Sequence, residues 1–403
     1  MSKEQKNTKR PSVFSMGKGY DMWLQLAVVI LAFVGIVIIG SASMGTAVGN
    51  MQLLILNIAK QCIFVSIGYF LMAWISRKFK LSQLHGNGFQ ILIIIEIMSL
   101  LLCRAFPEVK GAYNWIRIPL GFTEVTIQPS EFAKILIILI VAAHLGDRRN
   151  SKKSLGQLVG RAAAIFAIMA SIILFVQKDF GSMMVLTIIA CVCYLIPRNK
   201  TMRKTQVFLM VMFYLVVFAS FFLLSPAGEE FIMKLSFLKP YQKQRFISAI
   251  DPFRDPYGNG YQIISSLIAF AEGGIGGKGL GRSVQKYMNL PEAGTDFILA
   301  VFVGETGWIG FCLLMLIYGT IIYRLLYFAY KMKSEAGRII LVGTSTYFMV
   351  HLFFNIGGVT GLIPLTGIPL PLMSAGGSSA VAFMMAIGLS QAVIAAYKRK
   401  EIQ

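Results

Sequence analysis

Leu290-Pro291-Glu292-Ala293-Gly294-Thr295-Asp296-Phe297 closes a polar interval that begins at Ser225, and an apolar run starts at once with Phe297 and Ile298. The interval 225–296 is the longest polar stretch of an otherwise apolar chain. An acid at the mouth of a hydrophobic helix is costly unless something there uses it. Asp296 therefore has two readings. In one, Thr295 or Asp296 caps the helix, with the carboxylate set against the positive end of the helix dipole. In the other, Asp296 is a general base at the boundary between water and lipid.

Working outward, the chain reads as a membrane protein. It has 403 residues, 56% hydrophobic and 14% charged, where soluble domains carry about 25% charged residues. Uncharged or nearly uncharged runs cover 23–44, 53–75, 88–103, 129–145, 158–176, 182–196, 207–224, 297–323, 339–360 and 378–397. The first is too long for the apolar core of a signal peptide and long enough to span. The third and sixth are short, and the third contains Glu96. Ten runs predict an all-α polytopic integral membrane protein with ten transmembrane helices.

The distribution of charge orients it. With the N-terminus in the cytoplasm, the inside segments hold 24 basic residues against five acidic ones, and the outside segments 12 against 10. Every inside segment is basic, which predicts cytoplasmic N- and C-termini. The net charge of +20 then reflects topology and attraction to anionic headgroups, and no nucleic-acid partner is needed. One membrane domain fills 1–403, with a cytoplasmic tail at 1–22, a large extracellular loop at 225–296 between helices seven and eight, and a short cytoplasmic tail at 398–403.

Polar residues with chemical potential collect outside. Gln128-Pro129-Ser130-Glu131-Phe132-Ala133-Lys134 opens helix four, with Pro129 suited to the first helical position. Glu131 and Lys134 share a face at i,i+3. They form either a structural ion pair between helices or the lining of a polar cavity where Lys134 meets a phosphate. Glu305 lies nine positions after Asp296, on the opposite face, so the two make no carboxylate dyad on one helix. Glu96 has no evident task.

The segment Gly273–Gly281 reads as a flexible turn between short amphipathic helices, able to bring backbone N–H groups to a phosphate. No strand precedes it, so it is a poor dinucleotide site. Arg245, Lys278, Arg282 and Lys286 add positive charge to the same loop. The fifth outer loop, 361–377, has three prolines and no charge, and is expected to lie in the outer interface of the bilayer. The five cysteines fall in apolar runs as small packing residues, and no His/Cys/carboxylate metal cluster is evident.

Five ordered motifs resemble the SEDS family (shape, elongation, division and sporulation), whose members include FtsW and RodA. They are GAYNWI with IQPSEFAK at 111–134, QKDFGS at 177–182, DPYGNGYQ at 255–262, LPEAGTDFILAVFVGETGWIG at 290–310, and NIGGVTGLIPLTGIPLPLMSAGGSS at 355–379. The pattern departs from the family's at Asn114, Lys178, Gly294, Gly304 and Ala375. The resemblance leans toward division-type members of Gram-positive bacteria, with a RodA-type elongation polymerase as the alternative.

The resemblance implies a peptidoglycan glycosyltransferase in the bacterial cytoplasmic membrane. It would polymerise lipid II by an inverting reaction for septal wall synthesis, with Asp296 of Thr295-Asp296-Phe297 as the essential acid. Substrate contacts are expected at Gln128, Ser130, Glu131, Lys134, Trp115, Glu292, Thr295, Arg245 and Lys286, with Arg245, Lys286 and Lys134 as cations for the pyrophosphate. No cofactor is required by the sequence, although a divalent cation, Mg or Mn, would suit the leaving group. The implied partners are a class B penicillin-binding protein and other divisome or elongasome membrane proteins. Two rivals come from other classes: a lipid II flippase working through Glu131, Lys134 and Glu96, and a scaffold for which Asp296 is dispensable. The scarcity of intramembrane charges speaks against the flippase.

Overall fold

The computed structural model describes residues 15–48, 50–109, 111–120, 123–146, 154–234, 240–288 and 290–402. Each of the ten apolar runs is a helix. They are α1 (Met22–Thr46), α2 (Met51–Lys78), α3 (Asn87–Leu102), α4 (Pro129–Leu145), α5 (Leu155–Ser171), α6 (Phe180–Leu195), α7 (Arg203–Leu223), α11 (Ile298–Lys331), α12 (Glu335–Val359) and α13 (Gly377–Lys398). The large loop contributes α8 (Pro226–Lys234), α9 (Pro240–Ile250) and α10 (Tyr261–Gly273).

Among the described residues, eight helices are long and apolar enough to cross a membrane, so this is a multi-pass membrane protein. The other two apolar helices, α4 and α6, have 17 and 16 residues, short of the roughly 20 a lone span needs. For α4 the reason is its position. Every residue except Phe132 and His144 is buried, so protein surrounds it and lipid does not set its length. At the opposite extreme, α7 buries none of its residues.

The all-α expectation needs one correction. The segment between α3 and α4 folds into an antiparallel hairpin, β1 (Ile116–Leu120) and β2 (Thr123–Ile127), with Ile116 opposite Ile127 and Ile118 opposite Val125. The alternation of β-branched and polar residues in IRIPL and TEVTI suits a strand.

At one end of the bundle, Asp21 caps α1 by accepting from the Leu24 N–H. The Arg324 guanidinium of α11 forks onto the Asp21 carboxylate, and Lys398 at the end of α13 adds a third contact. The side chain of Gln391 meets both the N–H and the carbonyl of Asp21, at 2.7 and 2.9 Å. The first helix is thus tied to the last and to α11 at one end of the molecule.

Candidate functional site

The longest helix, α11, is broken nine residues in. Gly307 has φ 68° and ψ −169°, a backbone state that essentially only glycine adopts. In an unbroken helix the N–H groups of Trp308 and Ile309 would bond the carbonyls of Gly304 and Glu305. Here both bonds are replaced. Trp308 and Ile309 donate to the carbonyls of Gly274 and Ile275, while Lys278 and Gly279 donate to those of Gly304 and Glu305. The glycine-rich segment is therefore no flexible turn. It is a backbone splint that gives these four groups partners across the break, as irregular backbone inside a membrane protein requires. A Cβ on Gly277 would lie 2.2 Å from the Glu305 carbonyl oxygen, so only glycine fits there.

The break divides α11 into a half-helix, 298–306, that is almost wholly buried, and a longer segment suited to spanning. Just below the break, Glu305 forms an ion pair with Lys286 at 2.6 Å, both side chains fully buried. The Ser41 hydroxyl of α1 donates to the same carboxylate oxygen and accepts from Lys286. The half-helix that follows Asp296 is thus fixed at its far end by charge and by backbone bonds.

Asp296 itself precedes α11. The residue at the helix cap is Phe297, which offers no side-chain hydrogen bond, and the Thr295 hydroxyl turns back to Glu292 Oε2 at 2.8 Å. The Thr295 hydroxyl is thus turned away from the first turn of α11. Glu292 adopts φ 57°, uncommon for a residue with a side chain, and its carbonyl accepts from the N–H groups of Thr295 and Phe297. The Asp296 side chain is half-buried. A Cβ on Gly367 would come within 3.6 Å of its Oδ2, which places the carboxylate beside the glycine of the fifth outer loop.

That loop packs into the protein, with Ile368, Leu370, Leu372 and Met373 all buried. Buried carbonyls need donors, and side chains of the spanning helices provide them. Asn355 Nδ2 donates to Ile368 O at 3.0 Å, His351 Nδ1 to Pro369 O at 3.0 Å, and the Tyr318 hydroxyl to Pro371 O at 2.6 Å. At Leu372 the loop passes so close to α1 that a Cβ on Gly35 would sit 2.2 Å from its carbonyl oxygen.

The same loop grips the Asp296 segment. Asn355 Nδ2 also donates to Asp296 O at 3.0 Å. The Ser374 hydroxyl donates to Thr295 O at 2.6 Å, and the Ala375 N–H to Gly294 O at 2.8 Å. Three successive carbonyls before α11 are held in this way. Arg245 of α9 reaches the same region, donating from Nη1 to Leu365 O at 3.0 Å.

The family model for FtsW, RodA and SpoVE, described as a cell cycle protein, matches residues 22–400. The chain belongs to this family. The probable peptidoglycan glycosyltransferase FtsW of Bacillus subtilis (strain 168) is 33% identical over 384 residues, covering 93% of this chain and 90% of that one. The stage V sporulation protein E of the same strain is 30% identical over 370 residues, 92% and 95% of the two chains. The peptidoglycan glycosyltransferase RodA of Mycobacterium bovis is 36% identical over 301 residues, 72% and 59%. Among solved structures, a chain from work on the structural coordination of polymerization and crosslinking by a peptidoglycan synthase complex has a TM-score of 0.68 and 25% identity, covering 94% of this chain and 98% of that one. The crystal structure of Thermus thermophilus rod shape determining protein RodA shares the fold, with a TM-score of 0.54, 20% identity, and coverage of 94% and 97%.

The sequence-predicted residues of this family member fall into three groups. Asp296, Thr295 and Glu292 share one turn, with Arg245 bound to the loop beside it. Gln128 and Ser130 lie at the head of α4 around Asp179, a residue of the QKDFGS motif at 177–182 to which the sequence assigned no role. Asp179 Oδ2 accepts from Asn114 Nδ2 at 2.7 Å, the Ser182 hydroxyl at 2.8 Å and Gln128 Nε2 at 3.3 Å. Asn114 thus has a definite partner, and Ser130 joins through Ser182 at 3.2 Å. Trp115, half-buried, is the residue next to Asn114.

The third group is buried. Glu131 and Lys134, both on α4, pair at 2.6 Å with both side chains about 2% exposed. The Tyr347 hydroxyl donates to the other Glu131 oxygen at 2.6 Å, and His351 Nε2 lies 3.2 Å from Lys134 Nζ. Lys134 and Lys286, expected to meet pyrophosphate, are each engaged by a buried carboxylate. His351, Asn355 and Asp179 are the polar site residues that sequence reasoning missed. Their partners are distant in sequence, and the one available signal was a polar side chain inside or beside an apolar run.

Proposed function

We propose that this protein is a peptidoglycan glycosyltransferase that polymerises lipid II at the outer face of the bacterial cytoplasmic membrane. The observation that carries the reading is the half-buried Asp296 carboxylate beside Gly367, on a turn whose carbonyls at 294, 295 and 296 are all clamped. Relatives bearing that activity in their names match over most of the chain. Ten spans with both termini inside, in one membrane domain with 225–296 outside, complete the topology. The shortness of α4 is consistent with it, since α4 sits within the bundle. Matches to FtsW relatives over 91–93% of the chain favour a role in division, with a RodA-type role in elongation as the alternative.

In the proposed reaction Asp296 accepts the proton of the acceptor GlcNAc 4-hydroxyl. The oxygen attacks C1 of the donor MurNAc as the bond from C1 to the pyrophosphate oxygen breaks. Undecaprenyl pyrophosphate leaves, and the configuration at C1 inverts. A positioned base contributes roughly 10²–10⁴-fold. Arg245, bonded to Leu365 O of the neighbouring loop, is a cation for the leaving group. Among the described residues no group of three or more His, Cys, Asp or Glu is arranged to hold a metal, so no step is routed through one. The similarity to a chain from a peptidoglycan synthase complex supports a class B penicillin-binding protein as partner.

The test is polymerisation of labelled lipid II by the purified protein with its partner. Glycan chains that depend on Asp296 support the reading. Transbilayer movement of lipid II without chains would indicate a flippase, and neither activity a scaffold.

A further inference from the structure

His351 is fully buried on α12 and has no part in the chemistry described above. Its two ring nitrogens face unlike partners. Nδ1 lies 3.0 Å from the Pro369 carbonyl, and Nε2 lies 3.2 Å from the Lys134 ammonium. A carbonyl only accepts, so Nδ1 carries the hydrogen, and an ammonium only donates, so Nε2 offers its lone pair. The two partners together select one tautomer of a neutral ring. A second hydrogen on Nε2 would point at the ammonium. Tyr347 and Phe383 hold the ring edge-on, with centroids 4.9 and 5.0 Å away. Lys134 is held in turn by Glu131, and Glu131 by Tyr347.

Asn355 stands one turn further along the same face of α12. It bonds Ile368 O, the carbonyl adjacent in the chain to the one His351 bonds, and also Asp296 O. Two neighbouring carbonyls of the loop are therefore held by two neighbouring donors, and one of those donors holds the Asp296 turn. Asn355 Oδ1 meets no partner among the described residues, whereas the His351 ring is also held from α4 through Lys134.

We propose that His351 is a positioning residue, one that sets the height of loop 366–370 on α12, and so the place of the Asp296 carboxylate, by using the Glu131–Lys134 pair as its anchor. The proposal rests on the reading of Asp296 as the base. It gives the buried pair a role in catalysis that needs no contact with substrate. A pair that merely locked α4 to α12 would ask only for a filler of the right volume at 351.

The test uses the full-length protein with its partner on labelled lipid II, comparing His351→Phe, His351→Gln and Asp296→Asn. Phenylalanine keeps the ring contacts and removes both hydrogen bonds. Glutamine can donate to Pro369 and accept from Lys134 as the imidazole does. The expected result is that His351→Phe lowers kcat about tenfold or more with KM within about twofold, since small misplacements of a reacting group are costly. His351→Gln is expected to recover most of that loss, and amide hydrogen exchange over 366–370 to be faster in the phenylalanine variant alone.

A folded phenylalanine variant with wild-type kcat overturns the proposal, as does a glutamine variant no better than it. Should the phenylalanine variant not fold, glutamine decides: kcat within about threefold of wild type supports the proposal and a loss of about tenfold or more overturns it. An inactive Asp296→Asn beside an unaffected His351→Phe refutes the positioning role alone. A fully active Asp296→Asn removes the base assignment and this proposal with it.

Discussion

The side-chain amide of Asn355 bonds the backbone carbonyl of Asp296 at 3.0 Å and, with its other hydrogen, that of Ile368 at the same distance. One amide thus joins the turn that carries the acid to the loop that lies beside it. Replacing Asn355 by Asp removes both donors and sets a carboxylate against two carbonyls. The expected outcome is a fall in kcat of roughly 10²-fold, the scale of a misplaced reacting group. Polymerisation kinetics on lipid II, with the melting temperature measured in parallel, check it.

The Lys286–Glu305 pair makes a prediction about stability. Both side chains are fully buried, so removing one partner leaves an uncompensated charge. Lys286→Met or Glu305→Leu alone is expected to cost about 3–5 kcal/mol, and the double variant to recover much of it. A double-mutant cycle followed by thermal unfolding in detergent measures the coupling.

Gly307 and Gly277 form the splint across the break in α11. A Cβ on Gly307 would lie 2.4 Å from the Gly277 N, and one on Gly277 would lie 2.2 Å from the Glu305 carbonyl oxygen. Alanine at either position combines this clash with a positive φ. Each is expected to lower the yield of folded protein sharply, whereas alanine at Gly276, where a Cβ meets nothing within 4 Å, is expected to be tolerated. Size-exclusion profiles of the three variants make the comparison.

Asp21 carries a pH dependence. Burial raises its pKa, but the Arg324 hydrogen bonds, the Leu24 N–H and the charges of Arg324 and Lys398 outweigh burial and hold it below its ordinary value. A carboxyl depressed in the folded state stabilises fully above its unfolded pKa, and that contribution is lost as pH falls through the folded one. Asp21→Asn should therefore melt below the wild type at neutral pH, and the gap should close as pH falls below about 4. Melting curves over that range test the sign.

What could be read from the sequence was the part written in periodicity and charge. Ten apolar runs became ten helices, and the Gln128–Lys134 motif opened α4 with Pro129 in its first turn and the i,i+3 pair in place. Less legible was whatever depends on partners far along the chain. Gly307 sits in an apolar run like any packing glycine, and only Gly274–Gly279 makes its break affordable. The proline-rich loop looked like an interfacial segment because its donors, Tyr318, His351 and Asn355, lie on other helices. The hairpin at 116–127 is too short for its alternation to stand out from a loop, and nothing local to Asp179 announces its three side-chain partners.

The most direct test of the central claim is the rate at which purified Asp296→Asn, folded and bound to its transpeptidase partner, converts labelled lipid II into glycan strands. Asparagine keeps the shape of the side chain and removes the base. The account predicts a loss of at least about 10²-fold with the fold and the complex intact, and polymerisation at the wild-type rate would contradict it.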